Sequence, residues 1–186
     1  MARLSGVARR QAIASLDDAI ERLGATGYDE VERTSQLSAT LRSSAGRRGL
    51  RLELTHAGRI FGGNYALEFS SEEPILPATG GLSGRGRGFV QMRGVAFRAS
   101  RGDRAGRQLA DELVSNATLA GALGRVHFER VRVEPDGRPA IRHLGGSIVW
   151  IVFPPIVKKI PFVPEQVQAT LDAFDAFAAA GRERSG

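Results

Sequence analysis

Residues 125–162 read RVHFERVRVEPDGRPAIRHLGGSIVWIVFPPIVKKIPF. Val131 and Val133 run into Pro135-Asp136-Gly137-Arg138, a turn in which Pro presets one dihedral, Asp bonds its own backbone and Gly tolerates a positive φ. Ala140 and Ile141 begin the return, so a β-hairpin is predicted. After Gly145-Gly146 come six apolar residues, Ile148 to Phe153, mostly β-branched or aromatic and without polar interruption. Such a run predicts a strand covered on both faces, with Trp150 and Phe153 in the core. Pro154-Pro155 then removes two backbone donors and ends the ladder. Upstream, Val126 and Phe128 occupy even positions while Val131 and Val133 occupy odd ones. A regular strand cannot bury both pairs on one face, which predicts a bulge near Glu129-Arg130 or a strand crossing between two covered faces.

Working outward, Leu50, Leu52 and Leu54 alternate with polar residues, His56-Ala57-Gly58-Arg59 turns, and Tyr65, Leu67 and Phe69 alternate again, predicting a second hairpin. Gly62-Gly63 in its second arm marks a bulge or a close backbone approach. Tyr28 to Leu41 reads as one short strand with irregular flanks, and Phe89 to Ser100 as a strand anchored by Val95 and Phe97. Four helices are predicted. The first is capped by Ser5, carries Ile13, Leu16, Ile20 and Leu23 at helical spacing and stops at Gly24 or Gly27. Asp103 caps one bearing Leu109 and Leu113, and Asn116 caps another bearing Leu119 and Leu123. The last starts at Pro164, carries Val167, Leu171, Phe174 and Phe177, and stops at Gly181. The fold class is therefore α+β: a mostly antiparallel sheet of about five to seven strands with N-terminal, middle and C-terminal helices packed on it.

With 186 residues, 42% of them hydrophobic, the chain suffices for a single domain over residues 1–181. Residues 1–27 form a peripheral helix in this reading, 70–88 a mobile loop and 182–186 a disordered tail. The absence of Cys excludes disulfides and thiolate metal sites. The basic start lacks an apolar signal-peptide core, and Ile148 to Val157 is far too short to span a bilayer. These features point to a cytoplasmic protein without a transmembrane segment, and its abundance of Arg, Ala and Gly suits a GC-rich bacterial genome.

The net charge of +6 is concentrated: residues 85–107 hold seven Arg against one Asp, and the remainder of the chain sums to zero. A local basic patch binds phosphate, nucleic acid or an acidic partner, with a plain solvated face as the rival reading. Arg93 shares a side of a regular strand with Val95 and Phe97 while Arg98 lies on the other, so the seven do not all converge. The favoured anion-binding cluster is Arg98, Arg101, Arg104 and Arg107 around the capped helix start, where backbone N–H groups and the helix dipole also favour an anion, unless Asp103 itself occupies that place. Arg85 and Arg87, in the glycine-rich GGLSGRGRG, are further members. That run is not a nucleotide-binding loop, since no Lys-Ser or Lys-Thr follows it into a helix.

No catalytic residue is assigned. His127 and Glu129 share a strand face and form the best local acid–base pair, but a surface pair is the commoner occurrence. No Gly-x-Ser-x-Gly occurs, no two of His56, His127 and His143 share a metal-binding spacing within one element, and neither cofactor nor metal is implied.

HAGRIFGGNYALEFS, FVQMRGVAFRAS and GRVHFERVRVEPDGRPAIRHLGGSIVWIVFPP resemble an uncharacterised proteobacterial family of short proteins, a domain of unknown function, over roughly residues 40 to 180. The resemblance implies a self-contained domain and assigns no activity to any position. Function is then expected to be that of a non-enzymatic binding or interaction domain whose partner is an anionic ligand, a nucleic acid or an acidic protein. The alternative is a small-molecule enzyme or ligand carrier with a pocket under the 70–88 loop.

Overall fold

The structure, a computed structural model, describes residues 2–44, 48–59, 61–87 and 94–185, with backbone only at 2–4, 59, 87, 94, 184 and 185. In chain order the elements are α1 (Ala2–Gly24), β1 (Tyr28–Ser35), β2 (Ser38–Ser43), β3 (Leu50–Arg59), β4 (Gly62–Ser71), β5 (Leu82–Arg87), β6 (Gly94–Ala99), α2 (Arg104–Ser115), α3 (Ala117–Arg125), β7 (Phe128–Val133), β8 (Pro139–His143), β9 (Ile148–Ile151), β10 (Ile156–Lys159) and α4 (Pro164–Ser185). The class is α+β with antiparallel strand pairing, and ten strands form among the described residues against the roughly five to seven read from the sequence. Part of the excess is the 28–41 region, which holds two paired strands, β1 and β2, instead of one. The chain divides into two compact units, Met1–Phe69 with His143–Val167, and Ser70–Arg142 with Gln168–Gly186.

In the first unit the strands lie in the order β1-β2-β3-β4, with β9 on β4 and β10 on β9. Helix α1 packs on β1, β3, β9 and β10. It does so through Ala8, Ala12, Ser15, Leu16, Ala19 and Leu23, all buried, at the spacing of one helical stripe. Small residues in that stripe bring the helix close to the strands. The one polar member, Ser15, meets its hydrogen-bonding need by donating to the Gly146 carbonyl at 2.8 Å, which removes the cost of burying a hydroxyl. Beneath lie Leu41, Leu50, Leu52 and Leu67, and Phe69, His143 and Phe162 pack ring to ring at centroid distances of 4.9 to 5.5 Å.

The predicted strand at 148–153 is shorter and more open than its composition suggests. β9 ends at Ile151 and alternates buried with exposed. Ile148 and Trp150 face the core, whereas Phe153 is 86% exposed and not a core residue. The physical reason is that Pro154-Pro155 closes the ladder before Phe153 can pair. Only one face of β9 meets a helix, so an uninterrupted apolar run did not mean burial on both sides.

In the second unit the order is β8-β7-β5-β6. Helices α2 and α3 pack on β6, and Phe97 meets Phe177 of α4 edge to face at 6.3 Å. The β7–β8 hairpin forms as its turn residues predict, with the Gly137 amide donating to the Glu134 carbonyl and the Asp136 carboxylate accepting from the Arg138 amide. Along β7, two less buried residues, Glu129 and Arg130, separate buried Phe128 from buried Val131, so the phase of the strand does reset there.

The 70–88 segment is not a continuous loop. Leu82–Arg87 forms β5, hydrogen-bonded to β6 and β7. Its glycines hid the strand for a packing reason: a Cβ at Gly84 would lie 2.8 Å from the Phe97 ring, so the aromatic covers bare backbone and supplies the apolar surface that Gly lacks. Residues 72–81 are tied to the β7–β8 turn, with the Ile75 and Leu76 amides donating to the Gly137 carbonyl and the Thr79 amide to that of Pro135. At the C-terminus α4 continues past Gly181 to Ser185. Gly181 is there for proximity and not as a stop, since a Cβ on it would meet the Ile75 carbonyl oxygen.

Phe69→Ala should therefore lower stability by about 3–5 kcal/mol, as loss of a fully buried ring does, while Phe153→Ala should stay within about 0.5 kcal/mol, the range of surface changes. Urea denaturation of both variants checks the contrast.

Candidate functional site

The basic segment acquires its geometry from strand pairing. In β5 and β6, Ser83 lies opposite Arg98 and Arg85 opposite Ala96. Opposed residues of an antiparallel pair share a face, and the other face carries buried Leu82, Val95 and Phe97. Arg85 and Arg98 are consequently diagonal neighbours on the open face, a separation of about 7–8 Å in such a pairing and somewhat less between Cβ atoms. Ser83, Arg85, Gly86, Ala96, Phe97 and Arg98 line a depression of about 490 Å³.

β7 extends this face. Arg132 stands opposite Ser83 on its other side, so Arg98, Ser83 and Arg132 make one row across three strands. Arg130 shares the parity of Arg132. Glu134 offsets part of the charge, its carboxylate lying 3.2 Å from Arg132 Nε. Neither Arg85 nor Arg98 has an ion pair among the described residues. A charge count along 85–107 misses Arg130 and Arg132. The signal that would have found them is Arg130-Val131-Arg132-Val133 itself, because burying the two valines turns both arginines outward.

The favoured sequence cluster divides. α2 packs on the Phe97 and Ala99 side of β6: a Cβ built on Gly106 of α2 would lie 3.1 Å from Ala99 Cβ. Arg98 points from the opposite side and joins Arg85, whereas Arg101, Arg104 and Arg107 are exposed around the start of α2. The N-terminus of α2 is already satisfied. Asp103 accepts from the Gly106 amide through Oδ1 and from the Gly80 amide through Oδ2, both at 2.8 Å. The Arg87 side chain lies outside the described residues.

His127 precedes β7 and is exposed, as is Glu129. His56 stacks beside Tyr65 at 4.8 Å, and His143 is buried between Phe69 and Phe162. No group of three or more His, Asp or Glu with metal-binding geometry occurs among the described residues, and none of their helices is long and apolar enough to cross a membrane.

Residues 21–180 match the family model described as "Protein of unknown function (DUF3156)". The chain belongs to that family. The match spans all ten strands, α2, α3 and most of α4, so both strand faces described above lie within the family domain. No curated protein and no solved structure matches the chain.

Asp103→Ala should cost about 1–2 kcal/mol, since it removes a helix cap and leaves a second amide without its acceptor. A thermal melt, with faster hydrogen exchange at the Gly106 amide, checks this.

Proposed function

We propose that this DUF3156 member is a bacterial, cytoplasmic, non-enzymatic binding domain that holds a phosphate- or carboxylate-bearing ligand on the open face of β5–β6, with nucleic acid as the leading ligand class. The supporting observation is the pairing of Arg85 and Arg98 around Ser83, two guanidinium groups without a carboxylate partner among the described residues, on one solvent face. Arginine suits the task because its planar fork donates two parallel hydrogen bonds to phosphate or carboxylate. Ser83 adds a hydroxyl between the forks, and Arg132 prolongs the positive row. Arg101, Arg104 and Arg107 form the outer field that raises the encounter rate without coordinating the ligand directly. The open shape of the face suits an extended chain better than an enclosed metabolite. The alternative of a pocket beneath the 70–88 segment has less support, because residues 75–79 lie directly on the backbone of the β7–β8 turn.

The test is titration with a short single-stranded oligonucleotide, and separately with inorganic phosphate, across a salt series. For single strands the logarithm of the binding constant falls with log salt by about 0.7 per phosphate neutralised. Arg85→Ala/Arg98→Ala should reduce that slope by about 1.4 and weaken phosphate binding, while Arg101→Ala/Arg104→Ala should change the slope by less. Absence of binding to both probes at low salt, or an unchanged slope in the Arg85/Arg98 variant, overturns the reading.

A further inference from the structure

The first unit carries an uncovered surface of opposite character. β9 is flanked by β4 and β10, and the register sets Val149 beside Asn64 and Lys158, and Ile151 beside Gly62 and Ile156. The other face of the same strands, with Ile148, Trp150 and Lys159, is the one that α1 covers. Lys159 lies 3.6 Å from Asp18 of that helix. On the open face Gly62 cannot carry a side chain, since a Cβ would meet the Trp150 carbonyl oxygen. A trough of about 750 Å³ results, lined by Phe61, Gly62, Gly63, Asn64, Val149, Trp150 and Ile151.

Two aromatic side chains stand at its end. Phe61, at the tip of the β3–β4 hairpin, is 70% exposed, and Phe153, at the tip of β9–β10, is 86% exposed. The Val152 amide donates to the Phe61 carbonyl at 3.0 Å, which holds the two tips side by side. Ile151 at 39% and Ile156 at 45% exposure continue the apolar surface. A contiguous exposed patch of this kind marks an interaction site.

Three features choose the partner. First, the charged residues of 144–163 are Lys158 and Lys159, that of 54–66 is Arg59, and neither segment has an acid. Of these, Lys158 stands on the open face beside Val149. Second, the tip carries few bare donors: Pro154 and Pro155 have no N–H, and that of Val152 is already bonded. An unbonded N–H is what bars backbone from hydrocarbon. Third, a symmetric contact between two copies that set Lys158 near its own counterpart would oppose like charges, since residues 54–66 and 144–163 contain no acid. Apolar side chains at a tip with the cation Lys158 behind them match the boundary between acyl chains and anionic headgroups.

We infer that this end of the chain docks on an anionic phospholipid bilayer, with Phe61, Phe153, Ile151 and Ile156 entering the interfacial zone and Lys158 contacting headgroup phosphate. The association is peripheral and reversible, resting on a few side chains.

Flotation of the full chain with phosphatidylethanolamine/phosphatidylglycerol vesicles, and with phosphatidylcholine vesicles, tests it. The chain is expected to float with the anionic vesicles and far less with the neutral ones. Phe61→Ser/Phe153→Ser should weaken binding at least tenfold, about the smallest factor expected for withdrawing two aromatic side chains from an apolar phase. Both positions are exposed, so an unchanged circular dichroism spectrum is expected. Lys158→Glu should weaken binding about fivefold or more. Arg85→Ala/Arg98→Ala should still float, which separates this surface from the arginine face. Failure of the wild-type chain to float with anionic vesicles overturns the inference, as does flotation of the double Phe variant at wild-type affinity. So does a wild-type dimer that sedimentation velocity shows becoming a monomer in that variant, because the face would then join two copies.

Discussion

A β-strand turns successive side chains to opposite faces, and at β9 and at β5–β6 the helices cover one face. This constraint produces both surfaces described here. On the covered sides lie Ile148 and Trp150 under α1, and Val95 and Phe97 under α2 and α4. On the open sides the same strands display what remains: Val149 and Ile151 in one unit, Ser83, Arg85 and Arg98 in the other. Neither open face needs special backbone geometry. Each is the complement of a core.

Close approach is the second theme. At Gly84 the missing side chain lets Phe97 lie on the strand, at Gly62 it lets β4 approach the Trp150 carbonyl, and at Gly181 it lets α4 run against Ile75. In each case a residue that usually weakens a strand or a helix is retained because another group occupies the space of its Cβ. At Gly62 the same vacancy hollows the open face into a trough.

The two surfaces differ in the physics of recognition. In the proposed roles, Arg85 and Arg98 would act through charge and directed hydrogen bonds, which weaken as salt screens them. Phe61 and Phe153 act through removal of apolar area from water, which salt does not screen. An anionic partner is common to both readings, since Lys158 stands beside the apolar tip as Arg132 stands beside the arginine pair. Membership of DUF3156 sets the domain in a family and leaves its chemistry to be read from these faces.

Local chemistry was legible in the residues themselves. Pro135-Asp136-Gly137 specifies its turn, Asp103 and Asn116 cap the helices that follow them, the spacing of Leu171, Phe174 and Phe177 selects the buried side of α4, and the clash of phase between Phe128 and Val131 announces a reset in β7. Each depends on neighbours within a few positions, which is why sequence suffices. Only the tertiary structure decided which apolar and charged residues meet. Phe153 looks buried by composition and is exposed because none of the described elements covers the hairpin tip. β5 looks like a loop by its glycines and is a strand because Phe97, distant in sequence, covers it. Arg98 parts from Arg101 and Arg104 and joins Arg85 and Arg132, because sheet register, which no local pattern encodes, sets which side of β6 each one occupies.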